Sequence, residues 1–122
     1  MLLGRLAVNK PKQKGTAHET AIVRHVNDKG LPAARVTLHG ANDHGDIHIR
    51  DGQGDLHVIE AKCTPNRLDL PGALTELAKE KENAGAMFGA VVFKRKGTTD
   101  VGRYYAVMEF DDYLALLPEA GF

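Results

Sequence analysis

The chain has 122 residues, 43% of them apolar and 26% charged, with one cysteine and no net charge. These figures fit a single globular domain, 1–122, with a modest core and little room for a second one. They exclude a helix crossing a membrane, because no apolar run is long enough, and an internal disulfide framework, because Cys63 has no second cysteine to join.

The charge is unevenly spread. Residues 1–35 carry seven Lys or Arg against Glu19 and Asp28, a local balance of +5 that leaves −5 for the rest. An acidic centre beside a basic flank produces such a split, and so does a solvated basic tail. The opening MLLGRLAVNKPKQKG is too short, and after Val8 too polar, to read as a signal peptide. A cytoplasmic protein is expected, and the single cysteine suits a reducing compartment. Residues 1–13 are expected to form a flexible basic arm, with Pro11 unsuited to a helix interior.

The spacing of Ile22, Val23 and Val26 predicts a first helix from about Thr16 to Lys29, stopped by Gly30. After Pro32, residues 34–38 read as a short strand, and the loop HGANDHG then leads to Asp46. Apolar residues alternate at Ile47 and Ile49, and again at Leu56 and Val58, with Asp51-Gly52-Gln53-Gly54 between them as a turn. That is the pattern of a β-hairpin. A second helix is predicted from near Asp69 to about Asn83, with Pro71 in its first turn. Its apolar stripe is Leu70, Leu74, Leu77 and Ala78, with Lys79, Glu80, Lys81 and Glu82 in solvent. Phe88 to Phe93 reads as a buried strand, Lys94 to Gly97 as a basic turn and Tyr104 to Met108 as a further strand. A last helix, Tyr113 to Leu117, is expected to be capped by Asp111 or Asp112. The order α-β-β-β-α-β-β-α defines an α/β protein with a mixed central sheet of four to five strands flanked by helices.

The hairpin carries the chemistry. Folding it back sets Asp46 beside Glu60, and Lys62, two residues further along the strand, shares the face of Glu60. Two carboxylates so close repel unless a cation lies between them, and a hard divalent ion such as Mg2+ suits oxygen ligands. An adjacent lysine can orient water or steady charge building on a phosphate. The duller alternatives are a turn aspartate after Gly45 and an exposed Glu–Lys pair on a strand. Glu19 has two readings as well: with Thr16 it makes a capping box, and with Val23 and Val26 it lies on one helical face, turned inward. The six histidines lack the spacing with cysteine that a structural zinc needs.

Taken in order, these residues resemble the restriction-endonuclease-like, PD-(D/E)xK nuclease superfamily, and within it the archaeal-type Holliday junction resolvases and their phage relatives. Lys14-Gly15-Thr16 before Glu19, Asp46 after the glycine-bearing loop from Gly40 to Gly45, Glu60-Ala61-Lys62, and the strand Phe88-Gly89-Ala90-Val91-Val92 carry the likeness. Gly45 stands where the superfamily's proline is usual, and Thr75 or Glu76 falls where the second helix is expected to offer a glutamine. The resemblance implies a restriction-endonuclease-like fold. It also implies Mg2+, replaceable by Mn2+, bound by Asp46, Glu60, the Ala61 carbonyl and Glu19, with Lys62 completing a catalytic set of Glu19, Asp46, Glu60 and Lys62. DNA contacts are expected from Lys10, Lys12, Lys14, Thr16, His39, Asn42, His44, Lys94, Arg95 and Lys96, directed at phosphate and shape rather than base sequence.

The expected activity is structure-specific cleavage of branched DNA, with a homodimer cutting four-way junctions symmetrically through its apolar stretch 104–117. The alternatives are a phage exonuclease or nickase of DNA replication and repair using the same site, and a DNA-binding module without chemistry.

Overall fold

The computed structural model describes residues 2–37, 43–63 and 69–118, and for 2–14 the backbone alone. In chain order the elements are α1 (Leu2–Asp28), β1 (Ala33–Arg35), β2 (Ile47–Arg50), β3 (Leu56–Lys62), α2 (Leu70–Ala84), β4 (Phe88–Phe93), a 3-10 turn (Val101–Arg103), β5 (Tyr105–Val107) and α3 (Phe110–Leu116). The five strands make one sheet in the order β1-β2-β3-β4-β5. β3 and β4 are parallel and the other neighbours antiparallel, so the sheet is mixed.

β3 is the central strand and is buried on both faces, which divides the core in two. Val58 on one face packs with Val91 and Phe93 of β4 and with Ala73 and Leu77 of α2. Ile59 on the other packs with Ile47, Ala90 and Ile22 of α1. The two-residue period of a strand sends Val58, Glu60 and Lys62 towards α2, and Ile59 and Ala61 towards α1.

α2 begins as its sequence predicts. The Asp69 side chain accepts from Gly72 N at 3.0 Å, Pro71 lies in the first turn, and Gly85 ends the helix in the left-handed conformation (φ 69°). Three boundaries depart from expectation. α1 starts at Leu2, not near Thr16; the helix formers Leu2, Leu3, Leu6 and Ala7 extend it, although Pro11 removes one backbone donor. Thr16 is therefore inside a helix, which removes the capping box. β1 is confined to Ala33–Arg35, with residues 38–42 outside the described set. α3 starts at Phe110, so Asp111 and Asp112 occupy its first turn and do not cap it. Asp112 instead takes an ion pair from Lys81 of α2 at 3.3 Å. Among the described residues no helix is long and apolar enough to cross a membrane.

Candidate metal centre

The hairpin register sets the geometry. Ile47 pairs with Ile59 and His48 with Val58, so the next step outward brings Asp46 opposite Glu60. Asp46 N donates to Ile59 O at 3.1 Å, and Asp46 Oδ2 accepts from Ala61 N at 2.8 Å. One carboxylate oxygen thus fixes the side chain against β3. The entry to β2 depends on Gly45, which has φ +94° and where a Cβ would collide with Val58 Cγ1. A proline, locked at negative φ, cannot take this conformation, and this accounts for glycine before Asp46.

Glu60 is 6% exposed and Glu80 of α2 only 2%. With Asp43, each offers a carboxylate oxygen, and the three oxygens lie within 4.8 Å of one another. The expectation that Glu80 is solvated is therefore overturned. The run Lys79-Glu80-Lys81-Glu82 reads as polar surface, but Ala73, Leu77, Glu80 and Ala84 recur at helical spacing and form the face that α2 turns to the sheet. That spacing was the available signal.

Burial first, and then the neighbouring Asp46 and Glu80 carboxylates, push the Glu60 carboxyl up to about 11. Burial also raises Glu80, to about 7; Glu60 opposes that rise and Asp43 and Asp46 add to it. Without a cation, the folded chain keeps protons that the unfolded chain releases near 4.5. The contribution of these two carboxyls to the stability of the metal-free protein is thus fully present below about 4.5 and is lost as pH rises through 7 and on towards 11. Melting in EDTA between about pH 5 and pH 8 should show Tm falling with pH, and Mg2+ should flatten that slope. A Tm in EDTA that rises over this range would contradict the picture.

Lys62 shares the face of Glu60 and donates to Glu76 Oε2 at 3.1 Å. Partial burial works against its charge, but Glu76, Glu60 and Asp46 together hold the ammonium above its ordinary value. Glu19 does not join the acidic group. Its Oε1 accepts from Arg35 Nε at 3.0 Å, because α1 packs on the other face of the sheet and β1 brings a guanidinium to it. The residue of α1 that turns inward is its neighbour His18, 4% exposed and in phase with Ile22. His18 Nε2 lies 3.5 Å from Val92 O, its ring stands 5.6 Å from that of Tyr104, and Nδ1 has no hydrogen-bond partner among the described residues. Burial holds its imidazole below the ordinary value.

The remaining site residues divide. Lys94, Arg95 and Lys96 line an open groove of about 600 Å³ with Cys63, Thr98 and Thr99. It adjoins the end of β3, where Lys94 N donates to Lys62 O at 3.0 Å, and Arg95 stacks over Tyr105 at 5.8 Å. His44 is half-buried, with its carbonyl accepting from His48 Nε2 at 2.8 Å. Thr16 is half-buried within α1. His39 and Asn42 lie outside the described residues, as do the side chains of Lys10, Lys12 and Lys14.

The donor set suits a hard divalent cation: all the groups are carboxylates, two are buried, and both Glu80 oxygens lack a hydrogen-bond partner among the described residues. No protein-family model matches the chain, and no curated protein matches it.

Proposed function

We propose that the chain is a Mg2+-dependent DNA endonuclease of the restriction-endonuclease-like PD-(D/E)xK class, acting on four-way junctions as a two-fold dimer. The observation that carries this reading is the pairing of Asp46 with Glu60 across the hairpin, with Lys62 on the same face. Asp46 and Glu60 hold the ion in this reading, with the Ala61 carbonyl as a further oxygen. When bound, the ion supplies Lewis-acid activation of a phosphodiester and of the attacking water.

The protein's own groups do the rest. The ion pair of Lys62 with Glu76 is half-exposed and worth about 1 kcal/mol or less, so a phosphate oxygen can draw the ammonium away from it. Lys94, Arg95 and Lys96, in the groove at the end of β3, receive the neighbouring backbone phosphates, as do Lys10, Lys12 and Lys14 on the basic N-terminal segment. Dimer formation is supported by exposed Tyr105, Phe110, Tyr113 and Leu114, an apolar group within 104–117. Two copies related by two-fold symmetry present two sites for the paired cuts that resolving a junction requires.

Incubation with Mg2+ on a synthetic four-way junction and on matched linear duplexes tests the proposal. Paired nicks confined to the junction are expected. Progressive shortening of duplex ends would instead favour an exonuclease, and binding without any cut would favour a module lacking chemistry. Asp46→Asn should reduce cleavage about a thousandfold, a cost of several kcal/mol in the transition state. Its amide oxygen can still accept from Ala61 N, so junction binding should survive; its collapse would make Asp46 a structural residue.

A further inference from the structure

We infer that Glu80 of α2 is a direct ligand of the divalent cation at this centre, together with Glu60 and Asp43, and that Glu19 is not. The inference deepens the proposed function and rests on its claim that the site holds a cation. A cluster of acids alone says little, since such groups commonly stand together without an ion. The decisive observation is Glu80 itself, 2% exposed, with neither carboxylate oxygen hydrogen-bonded among the described residues and one of them aimed at Glu60 and Asp43. A buried carboxyl without a partner costs folding free energy, so an uncompensated one calls for a ligand.

Distance agrees with this. Oxygens bound octahedrally to Mg2+ at about 2.1 Å stand at most about 4.2 Å apart. Three donors on one ion include at most one opposite pair, the others standing about 3.0 Å apart, so the three carboxylate oxygens, now within 4.8 Å of one another, come onto one ion by side-chain movements of up to about 2 Å. α2 also fixes the third donor, because Asn83, one turn beyond Glu80, donates to Asp43 O at 2.8 Å. Glu19 is turned to Arg35 on the opposite face of the sheet. The competing account is a proton shared between Glu60 and Glu80, which would leave no role for an ion.

Mn2+ binding to the metal-free protein, read by loss of the free-ion paramagnetic resonance signal, separates the two. Glu80→Gln should weaken Mn2+ at least about tenfold, a loss of the size that disturbing a metal's surroundings produces, and Glu19→Gln should leave affinity unchanged. Should Glu80→Gln fail to fold, wild type decides: saturation with diamagnetic Mg2+ should shift the Glu80 side-chain carboxyl carbon resonance and leave that of Glu19 in place. Unchanged affinity in Glu80→Gln, or an unshifted Glu80 signal, overturns the inference. A wild-type protein that binds no Mn2+ overturns both the inference and the metal-dependent activity. Mn2+ binding that is lost in Glu80→Gln, in a protein that cuts no DNA, leaves the inference standing and removes only the nuclease reading.

Discussion

In EDTA at neutral pH, Glu60→Gln is expected to melt above the wild-type protein, and in Mg2+ below it. Glu60 is 6% exposed, and in the metal-free chain it meets two further carboxylates, Asp46 and Glu80. Folding therefore either buries a charge or takes up a proton, and each is costly at pH 7. The amide carries no charge and can donate to both neighbours, so the variant should gain about 1–3 kcal/mol, or several degrees in Tm. Wild type should recover this in metal, since an ion at a hundred times its Kd adds about 2.7 kcal/mol. The amide should lose most of that response. Such a crossing of melting temperatures is specific to a carboxylate kept for binding. If Glu60→Gln melts lower than wild type in EDTA, Glu60 is a stabilising structural residue and the strain argument fails.

The second large effect falls at Gly45. With φ +94° it adopts a conformation that costs an L-residue about 1–2 kcal/mol, and a Cβ there would run into Val58 Cγ1. Val58 is fully buried in the core that α2 closes, so it cannot retreat without opening packing elsewhere. Overpacking adds about 1–3 kcal/mol. Gly45→Ala should thus lower stability by about 3 kcal/mol, seen as a reduced urea midpoint at unchanged m. Because Gly45 sets the angle at which Asp46 meets Ala61 N, the response to Mg2+ should fall with it. An unfolding free energy within about 0.5 kcal/mol of wild type would mean the turn re-forms without glycine.

The hairpin was legible because its signals are local and agree. Alternation at Ile47/Ile49 and Leu56/Val58, with a glycine-rich turn between, fixes the register, and the register alone carries Asp46 to Glu60. The sequence also yields the two helices around that hairpin, although α1 extends back to Leu2. Helix phase is less legible. Val23 and Val26 pack against the core as their spacing predicts, but the fully buried row of α1 is His18–Ile22, one residue away, and Glu19 at the edge of that face is taken by Arg35 from a strand distant in sequence. Glu80 is hidden for the opposite reason: its neighbours Lys79, Lys81 and Glu82 are polar and suggest a solvated face, whereas the spacing Ala73–Leu77–Glu80–Ala84 puts it on the buried one. In each case one helical residue spans about 100° of rotation, enough to exchange core for solvent. Which acid stands beside Glu60 therefore depends on how two helices roll against opposite faces of one sheet, and tertiary packing sets that.

The most direct measurement is an anomalous difference map from crystals soaked in Mn2+. The account expects a peak between β3 and α2, about 2.0–2.3 Å from carboxylate oxygens of Glu60, Asp46, Glu80 and Asp43, with Glu19 still on Arg35. Well-diffracting crystals with no peak at those carboxylates, or with manganese bound only at other surface groups, would contradict it.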